Sequence, residues 1–193
     1  PAVAYIPYVI PGTGSDKDFR GESKDYLPVR ADPEAAKKLL AEAGYPDGKG
    51  FPKVAYKYNL NPVNKAIAEA LQAMWKQNLG IEVGLANEEW KVFIDTRMQK
   101  NFDIARHAYL VDFDAGSLLE LWMTGFPENV TNYSNAEYDA LMKDSLKQMD
   151  RSKRMENMHK AEEILMRDLP VLPLYFYSTP YMQSARVKGV YIS

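Results

Sequence analysis

Between positions 53 and 110 the apolar residues keep changing period. The stretches "KVAYKYN" (53–59) and "IEVGLAN" (81–87) read as strands, the second alternating through Ile81, Val83 and Leu85. Between them "VNKAIAEALQAMWKQN" (63–78) sets Ile67, Leu71 and Met74 (or Trp75) on one helical stripe, opened by Asn61 and Pro62 and followed by Gly80. Strand, helix and strand within about thirty residues predict a βαβ crossover, right-handed with parallel strands. A further helix, "EEWKVFIDTRMQ" (88–99), leads into a third strand, "FDIARHAYL" (102–110).

On either side the pattern differs. Residues 1–31, rich in Pro, Gly, Tyr and charge, read as an extended, turn-broken opening segment. A helix follows in "DPEAAKKLLAEAGY", with Asp32 as N-cap, Pro33 at the first helical position and Gly44 placed to end it. From Ala115 onward the spacing turns helical: "GSLLELWM", a Gly/Pro/Asn loop through Asn132, then two longer helices. Their apolar faces are Tyr138, Leu141, Met142 and Leu146 in one, and Met155, Met158, Ile164 and Leu165 in the other. "LPVLPLYFY" (169–177) reads as a Pro-flanked strand and "RVKGVYIS" as a last extended piece. The expected architecture is α/β, with a βαβ sheet and a helical second half. Residues 32–177 form the lobe, and residues 178–193 form an extended segment leaving it.

One segment breaks its own pattern. In "RMQKNFDIARHAYLVDFD" a strand patterned for burial carries Arg106 and His107, ends in aspartates, and follows Arg97 by nine positions. Unpaired charge is costly to bury. On the preceding helix Trp90, Phe93, Ile94, Arg97 and Met98 share one broad face. On the strand, strict alternation points Phe102, Ile104, Arg106, Ala108 and Leu110 one way, and Asp103, Ala105, His107 and Tyr109 the other. Two readings follow. Either Arg97 snorkels and Arg106 pairs internally with Asp103 or Asp114, or guanidinium, carboxylate and aromatic groups line a half-buried site for a ligand bearing both charges.

Composition removes several classes. With 193 residues, 46% hydrophobic and 26% charged, the chain is sized for a single well-filled domain. A formal charge of −2 gives no electrostatic footprint for nucleic acid. No apolar run approaches the ~20 residues of a spanning helix. There is no cysteine, hence no disulfide framework or thiolate chemistry. The two histidines, His107 and His159, have no ligand-type spacing, and "DFD" at 112–114 lacks the rest of a calcium loop, so neither metal nor cofactor is predicted. "GTGSD" near Gly12 reads as a turn rather than a phosphate loop. The "NVT" triplet at Asn129 carries little weight. No nucleophile motif is present. Glu88, Glu89, Asp103 and Asp112 are acids that could meet in space, but nothing in the sequence pairs any two of them, and no enzyme is predicted.

The segments "AAKKLLAEAGY", "NEEWKVFIDTRMQKNFDIARHAYLVDFD", "NYSNAEYDAL" and "AEEILMRDLPVLPLYFY" resemble the oligopeptide- and dipeptide-binding proteins of ABC importers, in order along most of the chain. The resemblance implies the later lobe of a two-lobed, periplasmic-binding-protein-like fold. It implies an extracytoplasmic location, in the periplasm or as a cell-surface lipoprotein. The implied partners are a short peptide, the missing N-terminal lobe and the permease subunits. By the same resemblance Asp112, followed by Phe113, holds the peptide α-ammonium. Trp90 and Tyr109 wall the pocket, and Arg97 and Arg106 help hold the carboxylate. His107 stands where the family form has a small residue. Free peptides carry one positive and one negative end whatever their sequence, so charge-assisted hydrogen bonds at two fixed points suit them all. Arg106 and Asp112, six positions apart, would span about 20 Å if the chain were fully extended. Other members of the superfamily take nickel chelates, haem, oligosaccharides or signalling peptides, and these are the alternative solutes.

Overall fold

The computed structural model describes residues 1–14, 16–110, 113–178, 182–184 and 186–189. Its first helix, α1 (Pro33–Glu42), starts where Asp32 Oδ1 accepts the Ala35 N–H at 3.0 Å, with Pro33 in the first turn. Strand β1 (Val54–Asn59) is followed at once by α2 (Pro62–Leu79), because Asn61 Oδ1 caps the amides of Val63 and Asn64. Helix α2 stops at Gly80, whose φ of 70° is left-handed. A Cβ there would stand 2.5 Å from the Asp47 carbonyl oxygen, so the close approach of the 46–48 turn also requires glycine.

Strand β2 (Val83–Glu88), helix α3 (Trp90–Met98) and strand β3 (Ile104–Ala105) complete the sheet. The order is β2-β1-β3 with every pair parallel, which puts β1 in the centre. The parallel βαβ unit is therefore as its hydrophobic periods predicted. Tyr56 and Tyr58 of β1 pack with Ala68, Ile81 and Val83, flanked by Leu71 and Trp75, to form one small core. Of the two sequence options for the helix stripe it is Trp75 that turns inward, and Met74 is exposed.

The second core is helical. Helix α4 (Ala115–Leu119), a 3-10 turn through Trp122, α5 (Ala136–Lys147) and α6 (Arg151–Asp168) enclose Leu118, Leu119, Trp122, Tyr138, Met142, Met158 and Leu165. Ile6, Ile10 and Phe19 of the opening segment complete this cluster. That segment is pinned by a buried ion pair, Arg20 Nη1 to Glu162 Oε1 at 2.7 Å. The same carboxylate oxygen accepts the Ile6 N–H at 2.8 Å. Arg20 also donates to the Lys24 carbonyl at 2.8 Å. Asn129 is buried, its amide donating to the carbonyls of Met123 and Tyr133, so the "NVT" asparagine organises its loop.

Four expectations need correction. The stretch 102–110 is a strand only at Ile104–Ala105, with one more ladder bond from the Arg106 N–H to the Lys57 carbonyl. In register β1 still offers Tyr58 and Asn59 opposite Arg106 and His107, so the ladder stops before the central strand does. The stretch 169–177 forms no ladder either. Pro170 and Pro173 have no N–H to give, and the stretch is tied to the opening segment by the Ala2 N–H, which donates to the Leu174 carbonyl at 3.0 Å. The helix predicted over 88–99 starts two residues later, because Glu88 closes β2 and Glu89 caps α3 through the Lys91 amide. On α5 Leu146 is exposed, and the buried stripe is Tyr138, Met142 and Ser145, whose hydroxyl donates to the Met142 carbonyl. Among the described residues no helix is long and apolar enough to cross a membrane.

Candidate functional site

In open parallel sheets ligands bind in the crevice beyond the carboxyl ends of the strands. Here those ends are Asn59 of β1, Glu88 of β2 and Ala105 of β3. Of the residues singled out from the sequence, Trp90 and Arg97 belong to α3, which begins two residues after the end of β2, and Arg106 and His107 directly follow β3.

Phe93 of α3 is fully buried and serves as the floor. Trp90, one turn back, has its ring centroid 6.5 Å from that of Phe93, and Arg97, one turn on, sets its guanidinium carbon 5.7 Å from the same ring. The face predicted for this helix is thus real, with Trp90 half exposed at 51%. Arg97 is partly buried, and its Nε–H has no acceptor among the described residues. Its Nη2 lies 3.3 and 3.4 Å from the two ring nitrogens of His107. Burial, and then the nearby Arg106 charge, hold the Arg97 pKa below its usual value.

Arg106 donates from Nη1 to Asn59 Oδ1 at 3.1 Å and from Nη2 to the Tyr177 hydroxyl at 2.9 Å. Asn59 Oδ1 is itself fixed by the Asn64 amide at 3.0 Å, so the first turn of α2 helps to aim Arg106. The Tyr177 hydroxyl accepts from Tyr175 at 3.1 Å. That bond, together with Arg106, draws the Tyr177 pKa below the ordinary phenol value.

Internal neutralisation of Arg106 by Asp103 or Asp114 does not occur. Asp103 Oδ2 accepts the Ala55 N–H at 3.0 Å. Asp114 caps α4 through the Gly116 amide and takes both of its other bonds from Arg154, at 3.0 and 2.9 Å. Among the described residues no carboxylate lies within 4.0 Å of either Arg97 or Arg106. Both guanidiniums thus have only neutral hydrogen-bond partners among the described residues.

His107 lies against Arg97, its ring 6.1 Å from that of buried Trp122 and tilted by 47°. Burial and then the two arginine charges lower its pKa from 6.5 to about 4, so the ring is neutral at physiological pH. Tyr109 and Phe113 are exposed, at 43% and 85%. Asp112, assigned to the opposite end of the ligand, lies outside the described residues. At the neighbouring strand end Glu88 approaches Lys57 Nζ at 3.6 Å through one oxygen, and its other oxygen is buried with no hydrogen-bond partner among the described residues. No group of three or more metal-ligand side chains occurs among the described residues.

Sequence reasoning missed Asn59, Trp122 and Tyr177. Asn59 is signalled only by its place at a strand terminus. Tyr177 is 71 positions from its partner, with nothing local to mark it.

The sequence profile of the bacterial extracellular solute-binding proteins, family 5 Middle, matches residues 1–129. Among curated relatives, the dipeptide-binding protein DppE of Bacillus subtilis is 36% identical over 187 residues, 95% of this chain and 34% of its own length. The periplasmic oligopeptide-binding protein OppA of Salmonella typhimurium is 39% identical over 145 residues, 75% of this chain and 26% of its own. Among solved structures, Haemophilus influenzae OppA in complex with RPPGFSPFR superposes with a TM-score of 0.71 at 36% identity, covering 75% of this chain and 29% of that one. The chain spans about a third of the length of such relatives, or less. Profile, identity and superposition agree on a periplasmic-binding-protein lobe, and the chain belongs to family 5 of the bacterial extracellular solute-binding proteins.

Proposed function

We propose that this chain is the ligand-gripping lobe of an extracytoplasmic protein that captures short peptides, without catalysis, and delivers them to an ABC importer. The observation that carries the reading is a pair of arginines, Arg97 and Arg106, close enough to act on each other's charge, with no carboxylate on either among the described residues. A peptide carboxylate is the acceptor this pair lacks, and a guanidinium meets it with two parallel bonds. Trp90 and Tyr109 supply apolar walls, with Phe113 beside them, and His107 sits inside the anion end. Asp112 would take the α-ammonium. The relatives named for dipeptide and oligopeptide binding support a peptide over the alternative solutes.

A second lobe would cover the ligand, and closure about a hinge would present the closed form to the permease. With one wall of the site supplied from elsewhere, residues 1–193 alone bind peptide more weakly than about 1 mM.

The test is isothermal titration of the full-length protein with free and N-acetylated forms of one peptide, chosen by mass spectrometry of the ligand that co-purifies. Acetylation, or Asp112→Ala, weakens binding at least about tenfold, as loss of a charged hydrogen bond of 1.5–3 kcal/mol requires. Equal affinities would remove Asp112 from the site, and a co-purifying sugar, haem or metal chelate would replace the peptide reading.

A further inference from the structure

His107 is the one feature of the site that the two-arginine grip does not need. Its ring fills space beside Arg97 and Trp122 and brings no charge of its own. The contact with Arg97 is informative because it sets a positive charge against the ring. Arg97 Nη2 lies almost equally far from both ring nitrogens, which places it over the ring face rather than on either lone pair, where its charge opposes a proton on the ring. The buried Nε–H of Arg97, which has no acceptor among the described residues, shows that this guanidinium is under-bonded even so.

An arriving carboxylate changes that balance. It offers Arg97 charged acceptors, which offset the positive charge set against the ring, and it places negative charge beside the imidazole. The charged groups that bear on the ring are Arg97 from α3 and Arg106 from its own segment, both cationic. From the 3-10 turn after α4 the neighbour is the uncharged Trp122, on which Tyr5 packs edge-on at 5.8 Å. Glu128 acts at one remove, through Arg97. Burial and then the two guanidiniums oppose a proton on the ring, and a bound carboxylate offsets the guanidiniums.

We infer that His107 is the proton-linked, specificity-determining member of the anion subsite: a carboxylate bound by Arg97 and Arg106 brings one proton from solvent onto the His107 ring. The inference rests on the peptide reading above and deepens it. Its consequence is a preference for carboxylate-ended ligands that grows as the medium is acidified.

The experiment is isothermal titration of the full-length protein at pH 5.5 in buffers of different ionisation enthalpy, which counts protons taken up. The probes are a free-ended peptide drawn from a di- to pentapeptide panel and its C-terminal amide. Uptake of roughly half a proton or more with the acid, none with the amide, and none with the acid in His107→Gln is the expected result. Binding of the acid without uptake, or uptake that persists in His107→Gln, overturns the role of His107 and leaves peptide capture standing. No binding by any member of the panel overturns both. The acid and amide arms use the unaltered protein, so the outcome does not depend on the variant folding.

Discussion

Arg106 and Tyr177 meet at 2.9 Å across 71 positions of sequence, and through that bond the segment after α6 helps to hold a charged residue at the end of β3. The phenol restrains the guanidinium without neutralising it. Asn59 does the same from the other side at 3.1 Å. Arg106 is thereby oriented and yet still cationic, the state in which an incoming anion gains most from it.

If that restraint matters, Tyr177→Phe weakens the binding of a free-carboxylate peptide by about 1 kcal/mol, roughly fivefold, the net worth of one hydrogen bond. The amide of the same peptide is affected much less. Titration of both ligands against both proteins checks this, and thermal stability of the variant stays within about 1 kcal/mol of the parent, because the Tyr177 ring is exposed.

The neutral His107 also leaves a mark on stability. Its folded pKa of about 4 lies below the ordinary 6.5, so between these values the unfolded chain binds the proton more readily. The contribution is fully present above about pH 6.5 and is lost as pH falls toward 4. His107→Gln, which stays neutral throughout, has a flatter dependence of melting temperature on pH across that window. Thermal melts at half-unit steps from pH 4 to 7 measure it, and parallel curves would show that folding does not hold His107 neutral.

Arg20 and Glu162 make the opposite kind of charged contact, buried on both sides at 2.7 Å. Removing one partner strands the other, which costs about 3–5 kcal/mol, whereas replacing both by apolar groups costs much less. Arg20→Met is therefore more destabilising than Arg20→Met with Glu162→Leu, although the double variant still forfeits the bond from the Ile6 N–H. Burial already raises the Glu162 pKa, so the single variant recovers part of its loss on acidification as the stranded carboxyl takes a proton. Chemical denaturation of both variants at neutral and mildly acidic pH gives the ranking.

How much of this was legible in the sequence depended on how local the cause was. The βαβ unit could be read because Ile81, Val83, Leu71 and Trp75 declare their periods within a few residues of each other. Caps at Asp32 and Asn61 could be read for the same reason. Arg97, Arg106, His107 and Trp90 announced themselves as charge and ring in segments patterned for burial, and the fold gathers them. The early end of β3 could not be seen, because the alternation of 102–110 runs on past Ala105, where the strand ends. Nor could the Arg20–Glu162 pair, 142 positions apart, or the Tyr177 contact, since no local period encodes a long-range partner.

The central claim is that Arg97 and Arg106 await a ligand's carboxylate. The most direct measurement is a cycle of four affinities on the full-length protein: parent and Arg106→Met, each titrated with one peptide as its free acid and as its C-terminal amide. The account predicts a coupling between side chain and carboxylate of at least about 1.5 kcal/mol, with Arg106→Met costing the acid more than tenfold and the amide little. Equal losses for acid and amide would mean that Arg106 does not meet the carboxylate, and would contradict it.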